Sequence, residues 1–322
     1  MRLTVVIVNY RSAQLALDCL DSLAQERHAM PGLDVTVVEN DSPDDSFDVL
    51  ADAVRERGWS QWVTLEKSPR NGGFSYGVNI AVRRGLAADE QPDGFLLLNP
   101  DTYVREGAVR ALVDELRGDD SVGILGSRLE DPDGTVQHSR FRFPSICNEF
   151  DDGLRLGVIH RLLGDRVICP PHSDEPHDID WVAGASMLIR REVFERVGLF
   201  DDGFFLYFEE LDYARRARVL GVRVRYAPSS RVVHLVGQST GVTSRDGRPR
   251  RTPKYWFDSR KRYYKKHHSP LYKLLADAAF VLGRSAHHVL RVLRRRPDRG
   301  PPRYLWDFVR HNWLPRRAPS SP

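Results

Sequence analysis

Residues 204–213, FFLYFEELDY, place three carboxylates within four positions. Glu209, Glu210 and Asp212 follow an aromatic run (Phe204, Phe205, Tyr207, Phe208) and lead into a helix expected from Tyr213 to Leu220. At a helical start Glu209 and Asp212 share a face, and Glu210 points elsewhere. Carboxylates crowded beside aromatic surface lose water and repel one another. That raises at least one pKa and suits a general base. The blander alternative is a negatively charged helix N-terminus, favoured by the macrodipole. Asp101 is the next candidate, three residues past the apolar run Phe95–Leu98. A carboxylate at the end of a buried strand suits Mg²⁺ or Mn²⁺ bridging phosphate oxygens; a cap ahead of Glu106 is the competing role. His234, at another strand end, is a candidate second ligand, although a lone strand-end histidine is more often structural. Glu39 and Asp41 have acceptors for a nucleobase N–H, or simply solvate a loop.

These residues need elements to hold them. Leu3–Val8 is a continuous apolar run, the pattern of a parallel strand buried on both faces, and too short for a signal peptide. Asn9-Tyr10-Arg11 follows, with Ser12 as expected N-cap of a helix whose stripe is Leu15, Leu17, Cys19, Leu20 and Leu23. Further strands are expected at 35–38, 62–65, 94–98 and 122–125, with helices near 46–57, 79–84 and 108–116. Strand and helix alternate, so the first ~125 residues read as an α/β unit with a mostly parallel sheet. Ligands of such sheets sit beyond the C-terminal strand ends. Asn9, Glu39 to Ser42, Asn71 to Gly73 and Asn99 to Asp101 all fall there. Neither a GxGxxG after the first strand nor a GxxxxGK[ST] is present, which disfavours dinucleotide dehydrogenases and P-loop enzymes. Beyond, Asp131–Gly134 reads as a turn, 144–178 as loops with a short helix near 153–163, and 180–189, 222–226 and 231–234 as strands.

The chain's 322 residues suffice for one large or two medium domains. Its three cysteines, Cys19, Cys147 and Cys169, show no CxxC spacing and fit a reducing compartment. The net charge of +4 conceals an asymmetry. From Arg245 to Pro322 there are 21 Lys and Arg against 5 Asp and Glu, and the acidic remainder has 27 against 39. A tail of +16 on a body of −12 implies a polyanionic neighbour. Within the tail, residues 271–293 carry Leu271, Leu274, Leu275, Leu282, Val289 and Val292 among charges too frequent for a transmembrane span. A basic amphipathic helix in a membrane interface and a helix packed on the body are both open. No nucleic-acid recognition module is present.

Six segments in order carry a family resemblance: VVIVNY (5–10), VENDS (38–42), NGGF (71–74) with Asn79, LLNPD (97–101), WVAGA (181–185) and FEELD (208–212). Over residues 3–240 the chain resembles family 2 glycosyltransferases of GT-A fold. It is most similar to bacterial rhamnosyltransferases that move L-rhamnose from dTDP-rhamnose to polyprenyl-diphosphate-linked N-acetylglucosamine. The resemblance implies a catalytic domain over 1–244, with a nucleotide-binding half (1–125) and an acceptor half (126–244), then a basic helical extension over 245–322. It implies that Asp101, with Asn99 in place of the usual first aspartate, and His234 hold Mg²⁺ or Mn²⁺. Asn9, Tyr10, Glu39, Asp41, Asn71, Gly72, Asn79, Asn99 and Asp101 would bind the donor nucleotide. Trp181, Gly184 and Asp212 would face the acceptor. Glu210, or Glu209, would be the base of an inverting single displacement. The expected setting is cell-wall or polysaccharide biosynthesis, with the enzyme peripheral on the cytoplasmic face of the plasma membrane, and an oligomer is possible. The alternatives are a relative using a UDP- or GDP-sugar, a nucleotidyltransferase, or a non-catalytic polyanion-binding protein.

Overall fold

The computed structural model describes residues 1–157, 164, 167–237, 250–298 and 300–314. The chain divides into two compact units, residues 1–141 with 171–239 and residues 142–170 with 240–322.

The first unit is built on a nine-stranded sheet. Strands β1 (Leu3–Asn9), β2 (Leu33–Glu39), β3 (Val63–Lys67) and β4 (Gly94–Leu98) are parallel, in the order β3-β2-β1-β4. Their apolar runs are buried on both faces because helices cover both sides. Leu17, Leu20 and Leu23 of α1 (Ala13–Ala29), Leu50 and Val54 of α2 (Ser46–Glu56), and Leu112 and Leu116 of α4 (Ala108–Gly118) join Val5, Ile7, Val35 and Val37 in one core. Helix α3 (Phe74–Leu86) covers the alternate face: a Cβ on its Gly77 would lie 2.6 Å from Cγ1 of Val8. The chain steps outward from β1 to β2 and β3 and then crosses back to place β4 on the other side of β1, so the topological switch point lies between β1 and β4.

Past β4 the sheet becomes mixed. The remaining elements are β5 (Thr102–Val104), β6 (Val122–Glu130), β7 (Arg140–Phe141), β8 (His177–Ile179), β9 (Trp181–Val182), β10 (Ser186–Arg190), α6 (Arg191–Val197), α7 (Glu209–Val219) and β11 (Arg223–His234). Strand β10 runs antiparallel between β4 and β6, while β6 and β11 are parallel. Both β5 and β8 pair antiparallel with β11. Two sequence expectations change here. The run 180–189 is broken: β9 leaves the main sheet to pair with β7, and Ala183 N–H donates to Ser139 O at 2.9 Å. The strands expected at 222–226 and 231–234 are one bulged strand, with its register shift between Ala227 and Arg231 around Pro228, which has no N–H for a ladder. Under the bulge, Ser127 Oγ meets Ser186 Oγ at 2.7 Å and Ser230 Oγ at 2.8 Å, all three buried.

The second unit is helical: α5 (Ile146–Leu154), α8 (Lys254–His267), α9 (Pro270–Leu293) and α10 (Tyr304–Trp313). In this grouping 142–170 sits with the C-terminal helices, and the chain passes into them near residue 240. The physical tie is backbone contact and buried charge. A Cβ on Gly283 of α9 would meet Phe150 O of α5 at 2.4 Å. Arg260 of α8, 2% exposed, donates to Glu149 Oε2 of α5 at 2.8 Å and to Asp277 Oδ1 of α9 at 2.5 Å. Tyr264 OH donates to the other oxygen of Glu149 at 2.5 Å. A helix at Ile146–Leu154, capped by Ser145 Oγ accepting from Asn148 N, precedes the short one expected near 153–163, most of which, residues 158–163, lies outside the described set. Helix α9 does pack, burying Ala276, Asp277, Phe280, Gly283 and Arg284, yet Leu271, Leu275, Leu282, Val289 and Leu293 stay exposed on its opposite side. No helix among the described residues is long and apolar enough to cross a membrane.

Candidate active site

Asn9 and Glu39 are register partners at the ends of β1 and β2, so their side chains emerge next to each other. Both are buried. Ser12 stands at the N-cap of α1 as expected, but its hydroxyl does not bond the helix and instead donates to Asn9 Oδ1 at 2.9 Å, and Asn9 Nδ2 keeps no acceptor among the described residues. Such a buried amide donor is costly unless something accepts from it. Glu39 takes the N–H of Ser42 at 3.0 Å and the Ser42 hydroxyl, which fixes the Asn40–Ser42 loop with Asp41 at φ 59°. Tyr10 stands at the same edge, 36% exposed.

Asn40, which the sequence offered only as part of a motif, joins two strand ends. Its Nδ2 donates to Asn71 Oδ1 and to Gly73 O, each at 3.2 Å, and Gly73 N–H donates to Asn71 Oδ1 at 3.1 Å. The Asn71-Gly72-Gly73 turn is thereby locked at the N-terminus of α3. Phe74 N–H then donates to Phe205 O at 2.8 Å, bringing the aromatic-acidic stretch to this turn. Asn79 is placed differently from the donor-binding role the resemblance implies. Its amide donates to Phe200 O at 2.9 Å and to Asp202, and accepts from Phe200 N at 3.0 Å. It is a strut between α3 and the 200–202 loop.

Asn99 and Asp101 follow β4, as the spacing predicts. Asn99 N–H donates to Ala185 O at 3.2 Å, and Asp101 is 1% exposed. The pairing of β11 with β5 sets His234 opposite Thr102, and its Nε2 lies 3.6 Å from Asp101 Oδ1. Burial lowers the His234 pKa, while the charges of Asp101 and Asp131 act against that. A neutral imidazole beside a carboxylate is a fitting O,N donor pair for a divalent ion whose other ligands are phosphate oxygens and water. Among the described residues no group of three or more His, Cys, Asp or Glu is assembled for a metal, so substrate oxygens would have to complete the shell.

Glu209 and Glu210 open α7. The two residues before them, Tyr207 and Phe208, adopt φ 68° and 69°, an uncommon conformation for aromatic side chains and a local strain of about 1–3 kcal/mol each. No composition or spacing signal announces that turn. It sets both carboxyls in a buried place. Burial first, and the charge of Glu210 second, push Glu209 well above the ordinary glutamate range. Burial likewise raises Glu210, opposed by hydrogen bonds from its own backbone and from Gly184. Oε2 of each has no partner among the described residues. Gly184 sits close by: a Cβ there would be 3.9 Å from Glu210 Oε1 and 3.7 Å from the Phe74 ring. Trp181, two residues before the β9–β10 turn, stacks on Phe141 at 4.3 Å. Asp212 is not gathered with this pair. Fully buried one turn on, it is ion-paired with Arg216 at 2.9 Å, and Arg216 also donates to the carbonyls of Val197 and Leu199. Two raised carboxyls beside a glycine-walled approach suit proton abstraction, and the Asp–His pair at the sheet's C-terminal edge suits a divalent ion.

The chain is 31% identical over 194 residues to an N-acetylglucosaminyl-diphospho-decaprenol L-rhamnosyltransferase of Mycobacterium tuberculosis, covering 56% of this chain and 61% of that protein. It is 29% identical over 167 residues to the rhamnosyltransferase WbbL of Escherichia coli K12, covering 50% and 60%. The matches thus span about three fifths of these relatives' own lengths. Among solved structures, a Pyrobaculum calidifontis mannosyltransferase in complex with GDP-Man and Mn²⁺ superposes with TM-score 0.58 at 15% identity, over 91% of this chain and 75% of the other. GalNAc-T7 with UDP, GalNAc and Mn²⁺ gives TM-score 0.54 at 15% identity, over 92% and 58%. These likenesses are of fold, the mixed α/β GT-A arrangement of a curled, mostly parallel sheet flanked by helices. The family model described as "Glycosyltransferase like family 2" matches residues 1–263, and the chain belongs to that family.

Proposed function

We propose that the protein is an inverting glycosyltransferase that moves a sugar, L-rhamnose from dTDP-rhamnose, to a hydroxyl of a polyprenyl-diphosphate-linked N-acetylglucosamine. The observation that carries this reading is the buried Glu209–Glu210 pair, held beside Gly184 at one side and, through Phe205, beside the Asn71–Gly73 turn at the other. The rhamnosyl part rests on the two rhamnosyltransferase relatives. Asn9, Tyr10, Glu39, Asp41, Asn71, Gly72 and Asn99 would line the donor nucleotide, and Trp181 with Gly184 the acceptor. Glu210 takes the proton from the acceptor hydroxyl as that oxygen attacks the anomeric carbon and the nucleoside diphosphate departs. Its raised pKa keeps it basic enough for the task near neutral pH. Glu209 is the alternative base. Asp101 and His234 would hold Mg²⁺ or Mn²⁺. When bound, that ion neutralises charge growing on the leaving diphosphate. The donor assignment is tested by offering dTDP-rhamnose and UDP-, GDP- and other dTDP-sugars, each with Mg²⁺, with Mn²⁺ and with chelator, and following nucleoside diphosphate release. Preference for a UDP- or GDP-sugar would refute the rhamnosyl reading.

The helical unit supports a second element of the reading, peripheral binding at the cytoplasmic face of the plasma membrane. On α9 the exposed residues Leu271, Leu275, Leu282, Val289 and Leu293 fall within one stripe about 100° wide, free of charge, while arginines and lysines crowd the rest of the unit. Inserted apolar side chains and about 1 kcal/mol per nearby cation would give salt-sensitive adhesion to anionic lipid. Co-sedimentation with anionic and neutral vesicles at low and high salt checks it; equal recovery in the supernatant in all four conditions would refute it.

A further inference from the structure

Beside that stripe the helical unit contains a pocket of about 530 Å³ between α9 and α10. Among the described residues three guanidiniums line it, from Arg284, Arg291 and Arg303, against one carboxylate, Asp298. Arg284 is 8% exposed, yet it has no hydrogen bond or ion pair among the described residues, only the face of Tyr304 at 5.9 Å. A buried cation without an acceptor is an expensive arrangement, which an incoming anion would relieve. Burial, and then the charge of nearby Arg155, lower the Arg284 pKa, against the opposing charges of Asp298 and Asp152. Asp298 acts on Arg284 through its charge, while its carboxylate lies 3.8 Å from Arg291 and accepts the Gly300 N–H at 2.9 Å. The Nε of Arg291 is buried with no partner among the described residues, and its Nη2 faces His288 Nδ1 at 3.3 Å. The rest of the lining combines the polar Ser285, His287 and His288 with apolar and aromatic surface, including Val281, Val309 and the half-exposed Trp306. Val281 and His288 adjoin Leu282 and Val289 of the apolar stripe in the sequence, so the cationic pocket and the stripe share one helix.

We propose that this pocket binds the phosphate head of an anionic lipid, with Arg284 and Arg303 as its principal donors and the neighbouring stripe accommodating the chains. The inference rests on the membrane reading above and sharpens it from diffuse attraction to a built headgroup site. Arginine forks match phosphate oxygens, and aromatic surface such as Trp306 suits a membrane interface.

The test is calorimetric titration of the full chain with dihexanoyl phosphatidate below its micelle concentration. Dihexanoylglycerol, inorganic phosphate and inorganic pyrophosphate serve as separate arms. Saturable binding of the phosphatidate is expected, at least tenfold tighter than that of any other probe. Arg284→Gln should weaken it at least tenfold. Should that variant fail to fold by circular dichroism, Arg303→Asn carries the test, since Arg303 is exposed and asparagine tolerates its φ of 59°. Equal binding of the inorganic anions would overturn the lipid assignment. Equal binding of dihexanoylglycerol, no binding, or unchanged binding in the folded variant would overturn the site. Vesicle recruitment separates the two ideas: diffuse adhesion survives Arg284→Gln if only the pocket is wrong. Soluble phosphatidate still binds if only the membrane reading is wrong.

Discussion

Gly73→Ala tests how the donor-side turn and the acidic stretch are coupled. Gly73 has φ 82° and ψ −175°, a region that side chains avoid at a cost of about 1–3 kcal/mol. A Cβ there would stand 2.0 Å from Phe205 O and 2.6 Å from its carbonyl carbon. An ordinary contact of about 3.3 Å or more therefore requires the Phe205 backbone to retreat by over ~1 Å. That breaks the 2.8 Å bond from Phe74 N–H, worth about 0.5–1.5 kcal/mol. The combined cost is about 2–4 kcal/mol. Gly58→Ala is the control: φ is 68°, but nothing lies within 4 Å of the new Cβ, so only the left-handed penalty of about 1–2 kcal/mol applies. Urea unfolding followed by far-ultraviolet circular dichroism should separate the two variants at equal m-value. At temperatures where both remain folded, Gly73→Ala should also lose sugar transfer, because Phe205 leads directly into Tyr207, Phe208 and the two glutamates. Equal destabilisation by the two substitutions, with transfer retained in Gly73→Ala, would refute the coupling.

Glu210→Gln should fold and bind donor but lose transfer by about 10²–10⁴-fold, the usual share of a general base; an active Glu210→Gln beside an inactive Glu209→Gln would give the role to Glu209. Both carboxyls are raised, so the acid limb of log kcat/KM should lie above the ordinary glutamate range, with activity falling as pH drops through it. The same raised pair binds protons more tightly folded than unfolded, so its contribution to stability is fully present below the unfolded pKa and lost as pH rises through the folded one. Glu209→Gln should therefore flatten the stability profile over that window in denaturant titrations. Asp101→Asn should reduce divalent-ion-dependent nucleoside diphosphate release by more than tenfold, a barrier change above ~1.4 kcal/mol. Arg260→Ala removes the shared guanidinium partner of two buried carboxylates, Glu149 and Asp277, and should destabilise the helical unit by about 3–5 kcal/mol, read from urea unfolding.

The apolar strand runs, the polar residues at their ends and the basic tail are properties of local sequence. Burial on both faces demands a continuous apolar run, and a strand end is where that run stops, so β1, β2 and β4 and the positions of Asn9, Glu39 and Asp101 were legible without a structure. Partners distant in the chain were not. Nothing near Asn79 says that it will bond Phe200 and Asp202, and nothing near Asp212 separates it from Glu209 except the later arrival of Arg216 with the carbonyls of Val197 and Leu199. The left-handed Tyr207 and Phe208 are likewise invisible locally, because their own side-chain preferences oppose the conformation and only surrounding contacts hold it. Residues 144–178 read as loops with a short helix near 153–163, and the helix at 146–154 stayed hidden because it buries Glu149 against Arg260 and Tyr264, more than a hundred positions away. Periodicity records how much of a segment is buried; which surface buries it is decided by the tertiary structure alone.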